Sequence, residues 1–144
     1  MSITLSSASL PVFQRTLTNL KHLLAKAQAD FRRAEPLVQK GGYDEQVLIQ
    51  YRLAPDMLPF RSQIRIACDA AKLAAARLSG IDAPKFEDNE STLAALQQRV
   101  QKTLDGLATV PASAIDGQEQ RAVTFPVGKG GSRIKEIGTN ARLE

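Results

Sequence analysis

The segment LPVFQRTLTNLKHLLAKAQADF, residues 10–31, decides the fold of this 144-residue chain. Its apolar residues recur at alternating intervals of three and four positions, which places them on one stripe of an α-helix. The stripe consists of Leu10, Phe13, Leu17, Leu20, Leu24, Ala27 and Phe31. Such a seam is typical of a helix in a bundle or coiled coil. Ser7 or Ser9 is the predicted N-cap, and Pro36 is expected to end the helix near Ala34.

Two later segments repeat the spacing and predict two more long helices. The apolar stripe of the second is Met57, Phe60, Ile64, Ala67, Ala71, Ala74 and Leu78. That of the third is Leu93, Leu96, Val100, Leu104 and Leu107. Gly80 suits the C-terminal end of the second helix. Asp88 or Asn89 is the predicted N-cap of the third. Because the connectors are of moderate length, we expect an up-down bundle of antiparallel neighbours.

The chain changes character after the third helix. Residues 121–127 alternate in polarity and predict a short strand, Gly128–Gly131 predict a turn, and residues 132–134 predict a returning strand. Residues 44–50 are long enough for one or two helical turns. The predicted class is therefore all-α, an up-down antiparallel helical bundle with three long helices and a short C-terminal β-hairpin. We expect the bundle to cover residues 1–120 and the hairpin with an irregular tail to cover residues 121–144.

Composition and charge indicate an ordinary soluble protein. Hydrophobic residues make up 43% and charged residues 24% of the chain, and no apolar run is long enough to span a membrane. Residues 1–10 lack the features of a signal peptide, and the single cysteine excludes an intrachain disulfide. We therefore expect a cytoplasmic protein with no membrane partner. The net charge of +4 is concentrated in the first helix, but no aromatic residues interleave the basic ones. A solvated face is thus favoured over a nucleic-acid surface.

Few residues offer chemistry. His22 is the only histidine, and the heptad places it on the outer face of the first helix. Neither a metal site nor a cofactor is predicted, since zinc and similar ions need three or four converging ligands. Cys68 has Arg65 and Lys72 within reach on the same helix, which would favour a thiolate nucleophile. A packed, structural cysteine is nevertheless the preferred interpretation.

Three acidic residues receive a structural interpretation as well. Asp56, Asp69 and Asp88 are read as cap or turn residues, because no second carboxylate has a defined relation to them. The glycine-rich Gly128–Ser132 lacks the spacing of a phosphate-binding loop and is interpreted as the hairpin turn. Catalytic residues therefore stay unassigned, and the sequence leaves open whether the protein is an enzyme.

Five segments carry a resemblance to a known superfamily. They are Ser9–Phe13, Arg52–Met57, Gln63–Asp69, Pro84–Asp88 and Thr124–Gly128. In this order they resemble the DinB-like helical-bundle superfamily, and within it a branch described only as a domain of unknown function. The resemblance covers about residues 3–131. It implies four helices, a hairpin between the third and fourth, and a divalent metal held by histidines of the second and fourth helices.

A fourth helix is the part of that pattern which this sequence does not show. Residues 132–144 contain no aromatic residue and no histidine, and they would span only about 20 Å even when fully helical. A naturally short chain, a C-terminus altered by a frameshift and a shortened chain all stay open as its origin. Three amphipathic helices leave a groove where the fourth would lie, and we expect a second copy to fill it as a homodimer.

The expected function is accordingly non-catalytic, with self-association through the groove as its working feature. The alternative that the resemblance implies is a metal-dependent, thiol-linked transferase or isomerase whose metal site is degenerate or lost. The sequence identifies no small-molecule ligand for either.

Overall fold

Four helices and a hairpin make up the described part of the chain. This computed structural model describes the backbone of residues 3–38, 44–127 and 131–136, and the side chains of residues 3–34 and 44–124. The elements in order are α1 Leu5–Val38, α2 Glu45–Gln50, α3 Phe60–Ser79, α4 Leu93–Ala108, β1 Ala122–Val127 and β2 Gly131–Glu136. The predicted class, a helical bundle with a hairpin after it, is confirmed. None of the helices in these ranges combines the length and apolar character that a membrane crossing requires.

The hairpin follows α4 and a short 3-10 turn, Ala112–Ala114. β1 and β2 pair in antiparallel register, with Ala122 opposite Glu136 and Val127 opposite Gly131. The second strand is longer than predicted. The predicted turn at Gly128–Gly130, the irregular tail after Glu136 and the connector at residues 41–42 lie outside the described residues.

The core is centred on α4. Its Leu93, Leu96 and Val100 are fully buried, and α1 contributes Leu17 and Leu24 to the same cluster. Each of these residues belongs to a predicted stripe, so the helical phase of α1 and α4 is confirmed. Full burial of one such leucine contributes about 1.5–3 kcal/mol to the stability of the fold.

α3 is rotated relative to its predicted phase. Its buried line consists of Ile64, Cys68, Ala71, Ala75 and Ser79. Ala67 and Ala74 of the predicted stripe are only half-buried, and Met57 lies ahead of the helix. The spacing rule assumes neighbours on both sides of the stripe. Here α4 contacts α3 along its length whereas α1 touches it less, so the most buried line turns toward α4.

The directions of the helices contradict one part of the up-down prediction, which expected consecutive long helices to run antiparallel. α1 runs antiparallel to α4, because Lys21 Nζ donates to Gln101 Oε1 at 2.5 Å and Gln97 Nε2 donates to Gln28 Oε1 at 2.8 Å. α3 and α4 run in the same direction, since Arg65 near the start of α3 binds Glu90 just ahead of α4. Residues 80–92, here called the return segment, therefore run back along the bundle before α4 begins.

The start of α1 differs from the prediction. The N-cap is Thr4, whose Oγ1 accepts from the Ser7 backbone N–H at 3.2 Å, while Ser7 Oγ accepts from the Thr4 N–H at 3.0 Å. This reciprocal pair is a capping box, so the predicted cap Ser7 is its third helical residue and Ser9 lies further inside. At the other end α1 continues through Pro36 to Val38. The proline removes one backbone donor without ending the helix there.

The start of α4 is capped by Thr92 and Glu45, and the prediction of Asp88 or Asn89 was wrong. Thr92 Oγ1 accepts from the Ala95 N–H at 3.0 Å, and Glu45 Oε1 of α2 accepts from the Leu93 N–H at 2.6 Å. Asp88 is drawn away because it pairs with arginines, as described below. The position of Asp88 relative to the apolar stripe could not reveal that the arginines bind this carboxylate in place of the helix N-terminus.

Arg121 ties the hairpin to the end of α3. Its Nη2 donates to the carbonyl of Arg77 at 2.9 Å and to that of Leu78. Gly80 ends α3 with φ of 73°, as the sequence predicted, and a Cβ there would lie 2.6 Å from Arg121 Nη1. Glycine thus permits both the left-handed turn and the close approach of the guanidinium.

Asp116 holds the first turn of α1 from the far end of the chain. Its carboxylate accepts from the Ser6 backbone N–H at 2.9 Å and from Ser6 Oγ at 2.7 Å. A carboxylate at a helix N-terminus satisfies an otherwise unpaired donor and meets the positive end of the helix dipole. These bonds, first that from the Ser6 hydroxyl, lower the pKa of Asp116.

Replacing Asp116 by asparagine is therefore expected to destabilise the fold at neutral pH and to matter less as the pH falls. The carboxylate contributes its full stabilisation above the unfolded-state pKa, about 3.9, and loses it as the pH drops through the lower folded-state value. Urea denaturation followed by circular dichroism at neutral and acidic pH measures the difference. Asp82→Asn, an exposed carboxylate of the return segment, is the control, and equal effects of the two substitutions would contradict the role of Asp116.

Candidate functional site

Among the side chains that the structure describes, the largest concentration of ionisable groups lies where the return segment crosses α3 and α4. We call it the ion network, and its members are Arg65, Asp69, Lys72, Asp88, Glu90 and Arg99. Arg99 is its centre and is only 3% exposed. Its Nη1 lies 2.8 Å from Glu90 Oε1 and 2.9 Å from Asp88 Oδ1, and its Nη2 lies 3.1 Å from Asp69 Oδ1.

Three further ion pairs complete the ion network, the longest of them between Arg65 Nε and Asp88 Oδ1 at 3.9 Å. Arg65 Nε lies 2.7 Å from Glu90 Oε2, and Lys72 Nζ lies 2.8 Å from Asp69 Oδ1. The ring of Phe86 packs against the cations, with Lys72 Nζ 4.4 Å from its centroid. Three positive and three negative groups therefore face one another with no net charge, and buried charges are tolerable only in such a paired state.

The ion network shifts the protonation equilibria of its members. Burial opposes ionisation of Glu90, but hydrogen bonds from Arg99, its own backbone N–H and Arg65 hold its pKa below the usual value. Asp69 behaves alike, since Lys72 and Arg99 outweigh the cost of its burial and lower its pKa. For Arg99, burial works against the charged form, and Glu90 and Asp69 nevertheless raise its pKa. All three stay ionised at neutral pH.

The immediate structural consequence is that the return segment is fastened to the bundle. Besides its carboxylate contacts, Arg99 Nη1 donates to the carbonyl of Glu87 at 3.1 Å, and Arg65 Nη2 donates to that of Glu90 at 3.3 Å. A stretch without regular structure needs such partners for its backbone groups. The arrangement positions a loop and binds no reactive group by itself.

Apolar spacing and composition gave no sign of this cluster. Asp69 and Asp88 were interpreted as isolated cap or turn residues, and this was wrong, because both carboxylates reach Arg99. Asp56 does lie in a turn, closed by the Met57 N–H on the carbonyl of Ala54. The available signal was Arg99 itself, a charged residue directly beside Val100 in the apolar stripe of α4, where burial demands a partner.

Cys68 lies in the core and not at a reactive surface. It is completely buried beside Thr103, and its burial raises the pKa of the thiol, a shift that the Thr103 hydrogen bond and the charge of Arg99 only partly offset. Arg65 and Lys72, the cations expected to favour a thiolate, bind Glu90 and Asp69 instead. The structure supports the packed, structural cysteine.

The side chains present do not fit the divalent metal that the superfamily resemblance implies. His22, the only histidine of the chain, is exposed on α1, and α3 offers none. Among the residues described, no group of three or more His, Cys, Asp or Glu side chains converges as metal ligands would. The acidic groups that do come together each face arginine or lysine.

A second candidate feature is the α1–α3 face, formed by the flanks of α1 and α3 that point away from α4. On α1 it carries Val12 and Leu23, which are 55% and 65% exposed, beside half-buried side chains. The α1 members are Val12, Phe13, Thr16, Leu20 and Leu23. The α3 members are Ala67, Ala70 and Ala74. None of the eight is charged.

Comparison with known proteins locates the chain among helical-bundle proteins. Residues 5–141 match the family described as Domain of unknown function (DUF1993). The chain is also similar to the crystal structure of a DinB family member protein from Shewanella denitrificans, at 32% sequence identity and a TM-score of 0.65. That similarity covers 87% of this chain and 67% of the other. No curated protein matches the chain significantly.

Proposed function

The chain belongs to the family Domain of unknown function (DUF1993), a DinB-like helical domain, and we propose that it works by self-association through the α1–α3 face. In this proposal the protein is non-catalytic, and a second copy of the chain covers the face. The observation that supports self-association is the uncharged, partly apolar surface on two adjoining helices, which no described part of the chain covers. Apolar patches of this kind mark interaction sites in soluble proteins.

The position of the face follows from the contacts of α4. Lys21 and Gln28 mark the flank of α1 that meets α4, and Asp69 and Lys72 mark the corresponding flank of α3. The α1–α3 face lies on the opposite flanks, where a four-helix bundle places its remaining helix. A partner seated there would extend the core by one helical layer.

Side-chain size favours a second copy as the partner. The α1 flank is bulky, with Phe13, Leu20 and Leu23, whereas the α3 flank is small, with Ala67, Ala70 and Ala74. A two-fold axis sets the α1 flank of one copy against the α3 flank of the other, twice over. Large side chains then meet small ones at both sites, which is the interdigitation that packed interfaces require.

Charge is compatible with the same pairing. Each chain carries a formal net charge of +4, which opposes association of two copies in general. No member of the α1–α3 face is charged, and the nearest cation of α3, exposed Arg77, lies one helical turn beyond Ala74 at the end of the face. Contact at the centre of the face therefore brings no like charges into direct opposition. The basic residues of α1 lie elsewhere on its surface.

Replacing Leu23 or Ala74 by glutamate is expected to convert a dimer into a monomer. A carboxylate in the centre of an apolar contact loses hydration without gaining a partner, and the dissociation constant should rise at least about tenfold. Sedimentation velocity at micromolar concentration measures the state of each variant. Val47→Glu, an equally exposed apolar position on α2 (52% exposed), is the matched control and should leave the dimer intact.

A wild-type protein that sediments as a monomer at these concentrations would overturn the proposal. The metal-dependent transferase or isomerase is the alternative that family resemblance implies. Elemental analysis of the purified protein separates the two, since zinc or nickel at near one per chain contradicts the non-catalytic proposal.

A further inference from the structure

A polar crevice opens beside the ion network, on the outer side of the return segment. We call it the lysine crevice. It has a volume of about 260 Å³, and its walls include Lys85, Phe86, Asn89, Glu90, Arg99 and Lys102. It lies apart from the α1–α3 face, because its walls come from the return segment and α4 alone. What it could hold is independent of the proposed self-association.

Arg99, which lines the crevice, has an unused donor. Arg99 Nη1 binds Glu90, Asp88 and the Glu87 carbonyl, and its Nη2 binds Asp69. Its Nε is buried and has no acceptor among the described residues. Guanidinium groups bind planar oxyanions through the edge formed by Nε and one Nη, so half of that edge is unoccupied. A buried donor of this kind calls for a water, an ion or a ligand.

The mouth of the crevice is positively charged. The ion network balances its own charges, so the field at the mouth comes from Lys85, Lys102 and Glu87. Both lysines are exposed, and neither pairs with a carboxylate in the part of the chain that the structure describes. Glu87 is engaged by Asn89, whose Nδ2 donates to Glu87 Oε2 at 3.2 Å. The mouth therefore carries an excess of one positive charge.

Phe86 supplies an apolar wall between these groups. Lys72 and Arg99 lie over its ring and hold it in place, at 4.4 Å and 5.6 Å from the centroid. An aromatic wall beside cationic donors is suited to a planar group that carries an oxyanion. The volume admits a molecule of about the size of a substituted benzene, smaller than the usual drug-sized ligand.

We propose that the lysine crevice binds a small planar molecule bearing one oxyanion, a phosphate or a carboxylate. The oxyanion lies between Lys85 and Lys102 at the Nε edge of the Arg99 guanidinium, and the planar group lies against Phe86. Asn89 lines the same crevice and offers its amide to a polar substituent. The proposal assigns a binding site and involves no chemical step.

Nitrogen-15 NMR titration of the full chain tests this proposal, because the Nε–H of a buried arginine gives its own signal. The probes are phenyl phosphate, benzoate, inorganic phosphate and benzyl alcohol. We expect saturable shifts of the Arg99 Nε–H and of the backbone amides of residues 85–90 and 99–102 with phenyl phosphate or benzoate. The order of these two probes identifies the preferred oxyanion, and benzyl alcohol, which has no charge, should cause none of these shifts.

Substitution of the lysines supplies the second arm of the experiment. Lys102→Ala should weaken the better probe about threefold to fivefold, the effect of losing one partly exposed charge contact. Lys26→Ala, an exposed lysine on α1, is the matched control and should leave the affinity unchanged. Equal loss in the two variants, or shifts that do not saturate, would overturn the site. If phenyl phosphate binds no more tightly than inorganic phosphate, the planar part of the assignment is overturned.

Discussion

Replacing Arg99 by alanine is expected to lower the free energy of unfolding by about 3–5 kcal/mol. Arg99 is almost completely buried and holds three carboxylates, those of Asp69, Asp88 and Glu90. Without it, Glu90 retains only Arg65 as a close cation, and the return segment loses the donor to the Glu87 carbonyl. Removing one partner of a buried charge cluster is costly because the others are left unpaired.

Urea denaturation followed by circular dichroism measures this loss. Lys102→Ala removes an exposed cation one turn further along α4 and should stay within about 0.5 kcal/mol of the wild type. Arg99→Lys keeps the charge without the planar fork and should fall between the two. If Arg99→Ala lowered the free energy of unfolding by less than about 1 kcal/mol, water would replace the guanidinium, and the ion network would not hold the return segment to the bundle.

The pH dependence of the same substitution has a definite sign. The pKa values of Glu90 and Asp69 are lowered in the folded state. Their contribution to the free energy of unfolding is therefore complete above the unfolded-state pKa values, about 4. This contribution is lost as the pH falls from the unfolded-state pKa values through the lower folded-state values, because the carboxylates bind protons and release Arg99. The difference between wild type and Arg99→Ala should therefore shrink in acid.

The helices of this fold were predictable from apolar spacing, but their mutual directions were not. The stripes of α1 and α4 are regular, and regular spacing is a local property that the sequence shows directly. The thirteen residues from Gly80 to Thr92 are long enough either to turn at once or to run back along the bundle. Arg65 and Arg99 decide between these paths by binding Asp88 and Glu90, and such long-range pairs leave no periodic signal.

The candidate sites were predictable to unequal degrees. Counting three amphipathic helices was enough to anticipate an uncovered face, since each helix must bury one stripe. The identity of the side chains on that face required the rotation of α3, which depends on how closely α4 approaches its alanines. The ion network required both the path of the return segment and the burial of Arg99. The ion network could therefore not be predicted from apolar spacing or composition.

Cys68 is expected to react with a thiol reagent such as Ellman's reagent at least about a thousandfold more slowly in the native protein than in urea. The side chain is completely buried beside Thr103, so the reagent reaches it only when α3 and α4 separate. Such an opening costs several kcal/mol in a stable domain, and about 1.4 kcal/mol corresponds to each factor of ten. The raised pKa of the thiol slows the reaction further, because the thiolate is the reactive form.

A matched control places a cysteine where the chain is open. In a Cys68→Ala background, Ala94→Cys puts the thiol on the exposed side of α4, and its rate should approach that of the unfolded chain. Arg99→Ala links this experiment to the first. If the ion network holds α3 and α4 together, a loss of about 3–5 kcal/mol should speed the labelling of Cys68 by about two to three and a half factors of ten. Fast labelling of the native wild type would instead place Cys68 at an accessible surface and favour the nucleophilic thiol over the packed one.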